Sequence, residues 1–239
     1  MHNTGVSSHA RALLAESAGT FMFFFIGAGA IVATTGGDLV AIAFAHGLAL
    51  AVAISSFGAL SGGHFNPAVT FGLAVAGKHP WSRVPTYWIA QLVGALVAGF
   101  ALRYAFDFAP TSLDRTHLGT PGLGAGVSDL TAIVVEGLLT VFLLWAVFGT
   151  AVSPLAPRIA GFGIGLTVAA DILVGGPITG AAMNPARWFG PAVAAGFYDH
   201  WLVYWIGPLV GAALGGLSYR FVFAPPGDRA PVTPVTPRA

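Results

Sequence analysis

The tripeptide Asn-Pro-Ala occurs twice in this chain, beginning at Asn66 and again at Asn184. The matched segments are longer than three residues, because the pattern Asn-Pro-Ala-x-x-Phe-Gly is the same at both places. A second pair of residues, Glu16 and Glu136, is separated by nearly the same interval. Matches at one common interval indicate that the chain contains two copies of one half, so its fold must join two similar units.

The balance of apolar and charged residues indicates the environment of the chain. Hydrophobic residues make up 56% of the 239 residues and charged residues only 8%, whereas soluble domains have about 25% charged residues. We therefore expect a membrane protein that is surrounded by the lipid bilayer. The net charge of +1 argues against nucleic-acid binding. The absence of cysteine excludes disulfides and zinc–thiolate sites, and we expect neither a metal nor a cofactor.

Six stretches are long and apolar enough to cross a bilayer, which takes about 20 residues as a helix. They are roughly 10–34, 39–60, 83–106, 130–152, 158–176 and 201–223. Two shorter stretches, about 66–77 and 184–195, follow the Asn-Pro-Ala motifs and reach only halfway across. We predict an all-α membrane protein with six transmembrane helices and two half-helices. Three spans per half is an odd number, so the second half should be inverted relative to the first.

Small residues recur at four-residue steps in the second, third, fifth and sixth of these spans. Such steps allow membrane helices to approach closely. They predict close helix contacts at glycines that include Gly47, Gly94, Gly165 and Gly211.

We expect residues 1–239 to form a single membrane domain. Repeat one covers about 10–106, a loop covers 107–129 and repeat two covers about 130–223. The remaining residues, 224–239, are rich in proline and are predicted to form a disordered tail.

Lys and Arg in the short loops predict the orientation, because they accumulate on the cytoplasmic side of a membrane protein. One side has Arg11, Lys78, Arg83, Arg158, Arg220, Arg229 and Arg238, and the other has Arg103, Arg115 and Arg187. We expect the first side, with both termini, to be cytoplasmic. We also expect the protein to lie in the plasma (inner) membrane.

Each Asn-Pro-Ala motif is suited to start a helix in the middle of the membrane. Asn is a good helix cap, and Pro fits the first helical turn. A helix that begins at this depth directs its free N–H groups and about half a positive charge at the bilayer centre. Non-helical backbone is tolerated there only when it is buried or lines water. The pairs Asn66-Pro67-Ala68 and Asn184-Pro185-Ala186 therefore predict a polar junction halfway across the membrane.

Two such motifs in register, inside a six-span duplicated chain, make the sequence resemble the aquaporin family, also called major intrinsic proteins. The resemblance covers about residues 10–223. It implies passive flow of water or small neutral solutes, without ions or protons, through each subunit of a homotetramer. It also implies that Glu16 and Glu136 support the pore loops. The expected backbone carbonyls along the pore are those of Gly62, Gly63, His64, Phe65, Gly180 and Ala182.

In this family four positions form the narrowest ring of the pore. Counting from the motifs assigns them to His46, Ile172, Ala181 and Arg187. The resemblance implies that Arg187 repels cations and donates hydrogen bonds to a passing solute. Strict water channels of the family usually have an aromatic residue at the first position and a histidine at the second. The pattern here is instead similar to that of plant tonoplast intrinsic proteins.

The residues after Arg187 distinguish glycerol from water. Glycerol facilitators of the family usually have Asp directly after the arginine and a basic residue four positions later. This chain has Trp188 and Ala192 at those positions, which argues against glycerol. Trp188 also differs from the small serine that is common in water channels. We therefore predict a water channel.

A second interpretation is a channel for water together with ammonia or other small neutral solutes, suggested by His46, Ile172 and Ala181. Some relatives that pass ammonia have a histidine in the loop between the repeats, and His117 lies in the corresponding loop. Asp171 is a further candidate, because a buried carboxylate is costly without a partner. It is expected either to bond loop backbone behind the filter or to orient Arg187 or His46.

A different class of protein, an ion-coupled secondary transporter, also has broken helices. The half-helix starts carry no cluster of acidic residues that would bind a coupling ion. An enzyme is not expected, because the sequence shows no nucleophile–base–acid set.

Overall fold

The computed structural model describes residues 7–159 and 161–225. Within these ranges the regular structure is entirely helical. The helices are α1 Ser8–Ala33, α2 Leu39–Ser61, α3 Pro67–Val75, α4 Val84–Ala105, α5 Pro110–Thr116, α6 Asp129–Val147, α7 Phe162–Thr179, α8 Pro185–Ala195 and α9 Val203–Ser218. Short 3₁₀ turns cover Trp81–Arg83 and His117–Gly119, and π-helical turns over Phe148–Val152 and Tyr219–Phe223 extend α6 and α9. The predicted tail lies outside the described residues beyond Pro225.

Six of the described helices are long and apolar enough to cross a membrane. With their short extensions they are α1, α2, α4, α6, α7 and α9, which confirms the six predicted spans. The two short helices after the Asn-Pro-Ala motifs are α3, with 9 residues, and α8, with 11 residues.

Two local features differ from the expected boundaries. Helix α7 continues past the expected end near residue 176 and includes Pro177 in its last turn. It ends at Gly180, which adopts a φ of +77° and donates its N–H to the carbonyl of Gly176. The loop before the second motif is therefore shorter than predicted. The connection between the repeats also contains α5, which its polar sequence did not predict.

The two halves have equivalent internal packing, and several pairs of helices join one half to the other. Helix α1 packs against α2 and α4, and α6 packs in the same way against α7 and α9. Between the halves, α2 packs against α7, while each half-helix packs against the last span of the other half, α3 on α9 and α8 on α4. This exchange is the predicted inverted repeat, and it brings both half-helices to the centre of the bundle.

Glycines at the helix crossings permit this close packing, as predicted. A Cβ at Gly94 of α4 would overlap the carbonyl oxygen of Ser17, and one at Gly211 of α9 would overlap that of Gly137. A Cβ at Gly47 would lie 2.5 Å from the carbonyl oxygen of Gly165. These contacts join α1 to α4, α6 to α9 and α2 to α7 at backbone distance.

Candidate functional site

The site is organised around the first turns of α3 and α8. Asn66 Oδ1 accepts a hydrogen bond from the backbone N–H of Ala68 at 2.8 Å, and Asn184 Oδ1 accepts one from Ala186 at 2.9 Å. A proline occupies the first turn of each helix. Each asparagine is therefore the predicted N-cap, and its amide nitrogen remains to donate elsewhere.

The two amide nitrogens connect the motifs to each other. Asn66 Nδ2 donates to the carbonyl of Met183 at 2.9 Å, and Asn184 Nδ2 donates to the carbonyl of Phe65 at 3.0 Å. Each asparagine thus bonds to the residue that precedes the other asparagine. This reciprocal pair brings two helix N-termini together inside the bundle, with their positive ends directed at one point.

Glu16 of α1 supports the loop before the first motif. Its buried carboxylate accepts hydrogen bonds from Ser61 Oγ at 2.6 Å, the N–H groups of His64 at 3.0 Å and Phe65 at 2.7 Å, and Gln91 Nε2 at 2.8 Å. Four donors satisfy a carboxylate that would be costly at membrane depth without partners.

Glu136 of α6 has the same relation to the second loop. It accepts from Thr179 Oγ1 at 2.6 Å and from the N–H groups of Ala182 at 2.8 Å and Met183 at 2.6 Å. A tyrosine completes both anchors, since Tyr87 donates to the carbonyl of Ser61 and Tyr204 donates to that of Thr179.

The two glutamates also determine which carbonyls face the lumen. In a trans peptide the carbonyl points away from the N–H of the next residue. N–H groups bonded to the glutamates therefore turn the carbonyls of Gly63, His64, Ala181 and Ala182 in the opposite direction. These four residues, together with Gly62 and Met183, line the central cavity.

Two of the six expected carbonyl residues have different surroundings. Phe65 is fully buried, and its carbonyl is occupied by Asn184. Gly180 forms the end of α7 and is not among the residues that line the cavity. Gly180 was expected in the loop because the end of α7 was predicted too early, and the carbonyl of Ala181 was not among those expected.

The cavity has a volume of about 500 Å³ and extends from Lys78 and Pro154 at one end to Asn66, Asn184 and Arg187. Its walls are mainly apolar and come from both halves: Phe23, Leu50, Ile54, Val69, Leu73, Leu143, Val147, Val152, Ile164 and Val168. The polar groups are concentrated along the two loops. A solute would therefore find hydrogen-bond partners on one side of the path and apolar side chains on the other.

Arg187 and His46 meet at the inner end of this cavity. Both side chains are buried, and Arg187 Nε donates to His46 Nε2 at 3.2 Å. His46 Nδ1 lies 2.8 Å from the carbonyl of Ile42. Because Nε2 accepts, the neutral imidazole carries its proton on Nδ1 and donates it to Ile42. The two expected filter residues thus hold each other in one arrangement.

The other two expected ring residues are also buried, and they have fewer contacts with polar groups. Ala181 lines the cavity with Arg187 and adopts a φ of +46°. Ile172 of α7 is almost fully buried and belongs to the same apolar cluster as Ala181. In the described part of the chain, Arg187 Nη1 is buried and has no hydrogen-bond partner.

Asp171 is buried beside Ile172, and its Oδ2 has no partner among the described residues. No hydrogen bond joins its carboxyl group to loop backbone, to Arg187 or to His46 within residues 7–159 and 161–225. Neither expected role for Asp171 is therefore supported by a contact.

We expect Asp171→Asn to raise the unfolding temperature by about 2–4 °C, because an amide is less costly than a carboxyl group at membrane depth. Water permeability should be unchanged. Thermal unfolding in detergent and vesicle swelling measure the two effects. Asp107→Asn makes the same chemical change at an exposed loop position and serves as the control. A variant that is both less stable and less permeable would contradict this view of Asp171.

His117 begins the 3₁₀ turn that packs against α1 and α8. Its exposed ring stacks on Phe197 with 3.9 Å between ring centroids and 2° between the planes. No contact links it to His46 or Arg187 in the part of the chain that the structure describes. The expected role of a loop histidine near the filter is therefore not supported by a contact.

Trp188 is buried behind Arg187, where its ring stacks on Tyr204 with centroids 6.1 Å apart. It belongs to an apolar cluster that includes Ala182. Trp188 thus packs against the loop that Tyr204 and Glu136 anchor.

At the other end of the cavity, the imidazole of His64 contacts His79 and Tyr87, with ring centroids 4.9 Å and 5.2 Å away. His79 lies in the loop after α3, outside the spans. Burial, and then the proximity of His64 and Arg83, lowers the pKa of His79 to about 3. The His79 imidazole is therefore uncharged at neutral pH. Among the described residues, no group of three or more His, Cys, Asp or Glu is arranged to hold a metal ion.

Comparison with known proteins gives consistent matches over nearly the whole chain. The sequence model of the family "Major intrinsic protein" matches residues 4–219. Aquaporin TIP4-4 of Zea mays is 45% identical over 235 residues, which cover 93% of this chain and 90% of the relative. Aquaporin TIP2-1 of Arabidopsis thaliana is 44% identical over 237 residues, covering 93% and 91%. The X-ray structure of the aquaglyceroporin from Plasmodium falciparum superposes with a TM-score of 0.82 at 26% identity, covering 90% of this chain and 97% of that chain.

Proposed function

This chain belongs to the major intrinsic protein family, and we propose that water crosses the protein in single file, passing the Arg187–His46 pair and the Asn66–Asn184 junction in turn. It is a passive water channel of a membrane, like the aquaporins that it resembles, and it is not an enzyme. Water conduction accounts for the comparisons, so ammonia permeation is not needed to explain them. A passive channel family also replaces the ion-coupled transporter considered from the sequence.

The reciprocal bonding of Asn66 and Asn184 is the observation that carries this proposal. Each amide uses its oxygen for a helix cap and one N–H for the other loop. The second N–H of each amide is left to donate to a water molecule. A water that accepts from both asparagines directs its own hydrogens away from the junction, so neighbouring waters cannot form a continuous proton wire. The two positive helix ends add a barrier to cations at the same point.

We propose that Arg187, His46, Ile172 and Ala181 form the filter. Arg187 supplies a fixed positive charge, and His46 holds it from the opposite helix. Ile172 and Ala181 contribute apolar surface without hydrogen-bond partners for larger polar solutes. Size and charge would therefore be selected at one narrow place, before water reaches the asparagines.

The protein is an integral membrane protein. We propose that the cavity end with Lys78 faces the cytoplasm, together with both termini, because Lys and Arg are concentrated on that side. The similarity to plant TIP aquaporins gives no support to the expected plasma membrane in particular. We also propose a homotetramer, which chemical crosslinking of the purified protein in detergent would test.

Stopped-flow light scattering of proteoliposomes tests the proposed function. Vesicles that contain the full chain should change volume much faster than empty vesicles after an osmotic step. They should show no added flux of protons or sodium ions. A rate equal to that of empty vesicles, with the protein verified as folded and inserted, would contradict the proposal.

A further inference from the structure

At position 27, the backbone of α1 lies closer to the His46 imidazole than any side chain at that position would permit. Gly27 faces this ring. A Cβ at Gly27 would lie 2.6 Å from His46 Nε2 and 2.7 Å from His46 Cγ, and still closer to Cδ2. Carbon atoms in contact are normally about 3.5–4.0 Å apart. The imidazole therefore occupies the space that a side chain at position 27 would fill.

The His46 ring is held on its other sides as well. Phe23, one turn before Gly27, meets the ring edge-on at a centroid distance of 6.0 Å and an angle of 88°. Nδ1 bonds to Ile42, and Nε2 bonds to Arg187. The ring cannot move away from α1 without losing one of these bonds. A side chain at position 27 would act on the same Nε2 atom that holds the guanidinium.

The second repeat has a larger residue, Val147, at the position that corresponds to Gly27. Val147 stands as far after Glu136 as Gly27 stands after Glu16. Val147 lines the wide cavity together with Ile164 and Val168 of α7. Glycine on α1 and valine on α6 therefore distinguish the filter end of the pathway from the open end.

We propose that Gly27 is a positioning residue of the filter, which lets the His46 imidazole lie against α1 and so determines how far the His46–Arg187 pair extends into the water path. This inference rests on the proposed passage of water past that pair. Position 27 acts through His46 and does not itself touch the solute.

Gly27→Ala tests this role in proteoliposomes of the full chain. The added methyl should push the imidazole towards the lumen and lower water permeability about tenfold, since overpacking of this kind is not easily relieved. Gly29→Ala is the matched control on the same helix. Its Cβ would meet the flexible end of Leu102 at 3.1 Å, so it should retain permeability within about twofold.

The rescue experiment separates positioning from a general packing role. In a His46→Ala background no imidazole is present, so adding G27A should change permeability by less than about twofold. If G27A alone fails to fold, the double variant should fold. The inference is overturned if G27A conducts like the wild type, if it lowers permeability equally in both backgrounds, or if both G27A variants fail to fold.

A readout independent of conduction keeps this inference separate from the proposed function. The ¹⁵N signal of His46 Nε2, assigned by its loss in H46A, reports the bond to Arg187. We expect this signal to shift in G27A and to stay unchanged in G29A. If the wild-type protein conducted no water, the proposed function would fail, and the Nε2 signal would still decide the role of Gly27. An unshifted Nε2 signal in G27A would overturn it.

Discussion

Replacing Arg187 by alanine should open the channel to cations and to small polar solutes such as urea. Arg187 is a charged residue that lines the cavity and donates a hydrogen bond to His46. A cation about 4 Å from a guanidinium is repelled by about 4 kcal/mol at an effective dielectric constant of 20. Loss of that barrier corresponds to as much as about a thousandfold in rate. Water itself carries no net charge, so its permeability should change far less.

Ion and solute fluxes measure this effect directly. Sodium flux and urea uptake into proteoliposomes should both rise at least about tenfold in R187A. Arg187→Lys keeps the charge and removes the Nε–H that bonds to His46, so it should still exclude cations. Arg103→Ala is the control for loss of an arginine elsewhere, since Arg103 bonds to the carbonyl of Ala194 outside the cavity. Unchanged sodium and urea fluxes in a folded R187A protein would show that Arg187 does not form the barrier.

Replacing Glu136 by leucine should strongly lower the stability of the protein. Glu136 is fully buried and accepts three hydrogen bonds from the loop that carries Ala181 and Met183. A buried donor left without a partner costs about 1–3 kcal/mol. Three such donors would cost about 3–9 kcal/mol, which is comparable to the whole stability of many proteins. The second pore loop should therefore lose its shape, and water conduction with it.

The comparison of Glu136→Leu with Glu136→Gln identifies the cause. Glutamine has nearly the same volume and keeps one acceptor oxygen, so E136Q should be intermediate in unfolding temperature and in water permeability. Glu16→Leu is the matched variant in the first repeat, where four donors are released, and it should be equally damaging. A leucine variant with the unfolding temperature and permeability of the wild type would refute the anchoring role of Glu136.

Prediction from the sequence succeeded where the cause was local. The spans depend on the length of apolar segments, and the starts of α3 and α8 depend on an asparagine cap followed by proline. The boundaries failed where neighbouring packing overrode a local signal. The fifth span was predicted to end near residue 176, yet α7 continues to Thr179, whose hydroxyl bonds to Glu136. The polar segment that forms α5 carried no periodic pattern.

The candidate site was also predicted in part from local patterns. The repeat interval and the resemblance to aquaporins predicted Asn66, Asn184, Arg187 and His46 as site residues. The contact of Arg187 with His46 joins residues that are 141 positions apart, and no local pattern contains it. Asp171 and His117 were candidates because of their positions in the sequence. Among the described residues, neither side chain contacts Arg187 or His46.

The sequence by itself therefore determined the membrane environment, the duplicated six-span plan and the capped half-helices, because these depend on composition and on residues a few positions apart. The tertiary structure decided which carbonyls turn to the lumen, that each asparagine bonds to the opposite loop, and that Gly27 leaves room for the His46 ring. These features arise from contacts between distant segments of the chain, and such contacts exist only after the two inverted halves have packed together.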